Sequence, residues 1–147
     1  LVGNIGSSTR LGYTAIGDTV NSAARLEAGN KLYGTQILVG EDTAAGVEGK
    51  LIVREIDRML IKGKTRPKRI FEIVCTPDRL TPEIEALHAD FHRGRQLYLA
   101  QSFDEAERVF DMHPEDPVSV TYVARCKELR DADLPADWNG VFAQTNK

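Results

Sequence analysis

The chain has 147 residues, 41% of them hydrophobic and 28% charged, and its 19 basic and 22 acidic side chains leave a net charge of −3. This is the composition of a folded chain, one ordinary domain or one small domain with an appendage, and it excludes disorder as the default. The charge balance gives no global reason to expect nucleic acid or an anionic membrane as a partner, while leaving room for a local basic site.

No apolar run reaches the length of a membrane span. The chain therefore reads as cytoplasmic, with a membrane anchor expected only through upstream domains. Cys75 and Cys126 lie far apart without metal-ligand spacing, which fits a reducing compartment and two small buried hydrophobes.

Leu1-Val2-Gly3-Asn4-Ile5-Gly6 reads as a strand entered partway, so the sequence is taken for a piece of a longer polypeptide. Ser7-Ser8-Thr9 is a polar connector. Tyr13 to Ile16 is a β-prone run that meets Gly17. Asp18 then stands where a helix N-cap belongs, and Ala23-Ala24-Arg25-Leu26-Glu27 supplies helix formers. With Asp18 as cap, Asn21 and Arg25 lie one turn apart on one face, while Val20 and Leu26 fall off it and are expected to pack inward. Asn and Arg near the positive end of a helix, just after a glycine turn, suit an anionic ligand. A capped surface helix with a solvated arginine is the alternative.

This helix stops near Gly29-Asn30 or runs on to Tyr33-Gly34. Thr35 to Val39 is a β-branched, apolar strand. Glu41-Asp42-Thr43 opens a helix that Gly46 and Gly49 keep short. Leu51 to Ile61 is rich in strand formers, and its Asp57-Arg58 interruption predicts a bulge or a change of direction. Met59 to Val74 reads as a hairpin whose tip carries Lys62, Lys64, Arg66, Lys68 and Arg69. The order strand, strand, helix, strand, short helix, strand, strand defines an α+β fold class.

At Thr76-Pro77-Asp78 the texture changes, which divides the chain into residues 1–75, a linker at 76–82 and a helical segment at 83–147. Thr81-Pro82-Glu83 is a helix start. Helical apolar spacing follows through Phe91, Leu97 and Tyr98, then Ala106, Val109 and Phe110, then Val118, Tyr122 and Leu129, with breaks at Ser102-Phe103-Asp104-Glu105 and at 113–117. Gly94, Ala106 and Phe110, with Pro117 beyond them, resemble the spacing of a single tetratricopeptide hairpin. One such repeat cannot bury a face alone and must dock on the preceding domain, on the third helix or on another chain. A generic amphipathic pair is the alternative. The single tryptophan, Trp138, beside Val141 and Phe142, anchors the tail by burial.

Common catalytic signatures are absent. Gly63-Lys64-Thr65 is not a P-loop, because Arg58 stands where its first glycine belongs. His88 and His92 form an i,i+4 pair without an acidic residue to complete a ligand set, so they and His113 read as solvated or packing residues. Neither a nucleophile elbow nor a CxxC motif occurs.

Gly3-Asn4-Ile5-Gly6, the long run from Arg10 to Glu27, and Ile61-Lys62-Gly63-Lys64 before a closing strand together resemble the second half of a class III nucleotidyl cyclase catalytic domain. The resemblance covers roughly residues 1–75. It implies a partial ferredoxin-like cyclase domain, followed by a helical segment like the tails of multidomain bacterial cyclases. It implies that Asn21 orients the nucleotide ribose and that Arg25 stabilises charge on the α-phosphate as the 3′-hydroxyl attacks. Lys62 corresponds to a lysine contacting the β and γ phosphates, its alternative being a solvated hairpin lysine. Arg10 corresponds to a phosphate-binding arginine of some members, or is a loop charge. Thr14 stands at the base-selecting position and favours ATP. Asp18 reads as a helix cap rather than a metal ligand.

The two metal-binding aspartates of this family belong to the half of the domain that is not in this sequence. The resemblance therefore implies two Mg or Mn ions held by residues absent from the chain, no metal ligand among its own residues, and no turnover by this piece alone. It implies one side of a site completed by a homodimer partner or by the missing half-domain. The nearer alternative is a guanylate cyclase; the further one is a catalytically inactive nucleotide-sensing or protein-interaction module.

Overall fold

The computed structural model describes residues 1–7, 10–59 and 67–142, and of Asn4, Arg10 and Leu11 the backbone alone. Strands β1 (Val2–Ser7) and β2 (Arg10–Ala15) pair antiparallel, from Val2 opposite Ala15 to Ser7 opposite Arg10. Reciprocal backbone hydrogen bonds between Leu1 and Ile16, at 2.9 and 2.8 Å, extend the ladder by one step. It forms a two-stranded sheet of its own.

Gly17 turns the chain into helix α1 (Asp18–Tyr33) with φ 152°, a conformation that a side chain would resist. Gly17, not Asp18, is therefore the N-cap, and among the described residues no side chain caps this helix. Asp18 instead places its charge in the first turn, where the helix dipole favours it. The inward stripe of α1 is Leu26, Gly29 and Tyr33. Val20 lies about 120° around the helix from Leu26, and it stays exposed instead of packing inward. Gly29 does not end the helix. Its missing side chain admits Leu38, whose Cδ1 lies 3.0 Å from where a Cβ would stand. The stop comes at Gly34, left-handed at φ 66°.

Strand β3 is only Leu38–Gly40, shorter than the apolar run from Thr35 suggests, and α2 (Glu41–Gly46) follows directly. Strands β4 (Ile52–Met59) and β5 (Lys68–Cys75) complete an antiparallel sheet in the order β3-β5-β4. The expected bulge falls one residue early, between Glu55 and Asp57. It breaks the strand alternation, so that Ile56 and Asp57 are both buried. Lys68 and Arg69 pair with Met59 and Arg58 inside this ladder rather than standing at a hairpin tip. Lys62, Lys64 and Arg66 lie outside the described residues.

A short 3-10 turn, Pro77–Arg79, leads to α3 (Pro82–Leu99), whose N-cap Thr81 accepts from the Ile84 N–H. Helix α4 (Phe103–Phe110) begins after three residues, so Phe103, Asp104 and Glu105 belong to the helix and not to a connector. Helix α5 (Pro117–Leu129) is capped by Asp116, which accepts from the Ser119 N–H at 2.9 Å. The result is a mixed α+β fold with two small antiparallel sheets and, among the described residues, five α-helices. This fits a partial ferredoxin-like domain.

One apolar cluster joins Tyr33, Leu38, Ile56 and Ile70 of the first elements to Phe91, Tyr98, Phe110, Val118 and Tyr122 of the helices. The α3-α4 hairpin thus covers its face with α5 and with the three-stranded sheet. Phe110 packs against Gly94 so closely that a Cβ there would stand 2.7 Å from the ring. Trp138 lies against Tyr98 and Phe103 and ties the tail to this core. Cys126 is buried, Cys75 half-buried, and both are free thiols.

Candidate active site

Helix α1, the junction of β3 with α2, and the near ends of β4 and β5 enclose a cleft of about 370 Å³. Asp18, Ser22, Arg25 and Leu26 of α1 form one wall. Glu41, Asp42 and Thr43 form a second, and Met59, Lys68, Arg69 and Ile70 the floor. Strand β5 crosses the sheet centre, which is what brings its two cations beneath the Arg25 face of α1.

Arg25 flanks the buried stripe of α1, is half-buried, and lines the cleft. Among the described residues no carboxylate forms an ion pair with it. Arg69, by contrast, is committed to Glu41, in a short contact, and to Glu55 at 3.5 Å. The hydrogen bond from Arg69 holds the Glu41 carboxyl below its ordinary range.

Of the five sequence-predicted site residues, the described part of the structure brings Arg25 to this cleft. Asn21, one turn earlier on α1, is exposed and outside the lining. Thr14 is exposed on β2, opposite Gly3. Arg10 is placed by its backbone, opposite Ser7, and Lys62 lies outside the described residues. Glu41, Lys68 and Arg69 also line the cleft, and no motif in the sequence marks them for it. The basic cluster contains both cations, and the fold sets Lys68 and Arg69 in β5, where they line the cleft.

Among the described residues, no group of three or more His, Cys, Asp or Glu side chains is placed to hold a metal ion. No described helix is long and apolar enough to cross a membrane.

A second polar assembly lies where the sheet meets the helices. Arg54 grips Asp116 with both terminal nitrogens at 2.9 Å and Glu72 at 2.6 Å, while its guanidinium stacks 4.6 Å from the Phe91 ring centre. Arg95 reaches Glu55 at 2.9 Å. Arg125 bonds Asp57 at 2.6 Å and the Tyr33 hydroxyl at 3.0 Å. Burial, and then the Asp57 charge, pushes the Tyr33 hydroxyl above its ordinary range, so it remains a donor.

Comparison with characterised proteins adds to this geometry. The chain is 40% identical over 74 residues to adenylate cyclase 1 of Rhizobium meliloti, covering 50% of this chain and 11% of that protein. It is 34% identical over 76 residues to an adenylate cyclase of Anabaena cylindrica, covering 50% and 15%. It is 27% identical over 135 residues to the terminal-differentiation specific adenylate cyclase of Dictyostelium discoideum, covering 86% and 6%. No family model matches the chain, and no solved structure matches it significantly.

The chain is thus similar to proteins named adenylate cyclase, and it spans 15% or less of the length of each of these relatives. A match over 86% of the chain cannot fit within residues 1–75, so the likeness to the Dictyostelium protein extends into the helices.

Proposed function

We propose that this chain is part of a class III adenylate cyclase that converts ATP to 3′,5′-cyclic AMP and pyrophosphate, and that it supplies the ribose- and phosphate-binding side of a site shared across a dimer interface. The observation that carries this reading is Arg25, half-buried on a cleft wall with no carboxylate partner among the described residues. A guanidinium held in that way is ready for an anion instead of being neutralised by the protein.

In this reading Arg25 stabilises the charge that grows on the α-phosphate as the ribose 3′-hydroxyl attacks and pyrophosphate leaves. Asn21 orients the ribose from the same helix, Thr14 meets the adenine amino group, and Lys62 with Arg10 contacts the phosphates. Two Mg or Mn ions would be held by carboxylates supplied outside this chain, and would lend Lewis-acid activation of the hydroxyl and charge neutralisation on the triphosphate. The likeness to proteins named adenylate cyclase supports the substrate assignment.

Full-length protein carrying this chain, incubated with ATP and Mn, should form cyclic AMP. No product from ATP or GTP in a folded dimer would sink the proposal, and product from GTP alone would move it to a guanylate cyclase. Arg25→Ala should lower kcat by about 10²- to 10³-fold while KM changes little. Equal losses in both would argue against action in the transition state.

A further inference from the structure

The Arg125 junction joins three elements far apart in sequence. Tyr33 closes the last turn of α1, Asp57 is turned inward by the β4 bulge, and Arg125 comes from the middle of α5. All three are buried, at 3%, 2% and 5% exposure. Arg125 donates to Asp57 at 2.6 Å and to the Tyr33 hydroxyl at 3.0 Å, and that hydroxyl donates to Asp57 in turn. The other carboxylate oxygen of Asp57 accepts from the Arg58 N–H at 2.7 Å. Beside this triangle the C-cap Gly34 meets Pro117 at the start of α5, with no room for a side chain between them. The last turn of α1 is therefore held by α5 at two points.

We propose that Arg125 is a positioning residue through which the helical segment sets the angle at which α1 presents Arg25 to the cleft. This rests on the cyclase reading above. Arg25 lies eight residues before Tyr33, about 12 Å along the helix axis at 1.5 Å per residue. A tilt of about 10° at the Tyr33 end would therefore move Arg25 by about 2 Å, and misplacement of about 1 Å at a reacting centre can cost 10²-fold in rate. A planar guanidinium can bridge a carboxylate and a hydroxyl at once; an ammonium on a flexible stem holds one point. The extension of the Dictyostelium match into the helices is in keeping with a segment that works together with the cyclase-like half.

The test uses full-length protein with two variants chosen to keep the fold. Arg125→Lys retains the charge opposite Asp57, and Tyr33→Phe retains the ion pair. Each should keep its circular dichroism spectrum, lower kcat for cyclic AMP formation by about tenfold or more, and leave KM within about twofold. Amide hydrogen exchange over residues 18–26 should rise in both variants, while that of α4 stays unchanged. A merely structural contact would lower the melting temperature without altering kcat per folded molecule. Folded variants with wild-type kcat and wild-type exchange over 18–26 would overturn the proposal, as would a loss of kcat without faster exchange there. If the wild-type protein forms no cyclic nucleotide, the cyclase reading fails by itself, and the exchange data still decide whether Arg125 sets the position of α1.

Discussion

Replacing Gly94 by alanine sets two effects against each other. Alanine gains about 1 kcal/mol over glycine in a helix interior. The new Cβ, however, would stand 2.7, 2.9 and 3.0 Å from Cε1, Cζ and Cδ1 of Phe110, where ordinary contact begins at 3.4 Å. Restoring contact needs a shift of 3.4 − 2.7 = 0.7 Å. Phe110 has no room to yield, being 1% exposed and wedged between Phe91 at 5.4 Å and Tyr122 at 4.8 Å between ring centres. Its overlap cost therefore belongs at the upper end of the usual range for overpacking, about 3 kcal/mol. The net loss is about 2 kcal/mol, which lowers the melting temperature of a chain this size by about 6 °C. Thermal and urea unfolding followed by circular dichroism measure it directly. A Gly94→Ala protein as stable as wild type, or more so, would refute the close-packing argument and leave helix propensity in command.

Two further expectations concern the polar layer between sheet and helices. Asp116→Ala removes the α5 cap and two charge-assisted hydrogen bonds from Arg54, while Glu72 still pairs with the guanidinium; a loss of about 3 kcal/mol follows from the cap and the lost bonds together, and a loss below about 1 kcal/mol in urea unfolding would contradict it. For Asp116 itself, burial alone would raise its carboxyl, but the hydrogen bonds and charge of Arg54, with help from Ser119, hold it below its ordinary value of 3.8. Its folded value is thus depressed, so its contribution is present above pH 3.8 and is lost as pH falls through the folded value. His88 acts at higher pH. Burial, then the charge of Arg54, lowers its imidazole below the ordinary 6.5, and its buried Nε2 has no hydrogen-bond partner among the described residues. The unfolded chain takes up this proton first, so stability falls as pH drops below 6.5. His88→Gln should flatten that part of the urea-midpoint profile, and an unchanged slope would count against it.

Local rules made much of this chain readable. Thr81-Pro82 opens α3 because proline lacks the N–H that the first turn leaves unused, and the threonine supplies the cap. Gly94 and Phe110 meet because two helices joined by three residues pack as an antiparallel hairpin. The fates of Val20 and Leu26 were not readable, since only the docking direction of α1 separates them. The β4 bulge was foreseen near Asp57, but its offset by one residue turned that carboxylate into the interior, and alternation alone predicts no such thing.

The order of elements, the α+β class and the helix that carries Asn21 and Arg25 all follow from short-range spacing, capping and turn chemistry, which act within a few residues and so are written along the chain. The union of Arg125 with Asp57 and Tyr33 spans 68 and 92 residues of sequence. Likewise, only the central place of β5 sets Lys68 and Arg69 beneath α1. Contacts of that range depend on which faces dock and in what register, and burial in one shared core decides both.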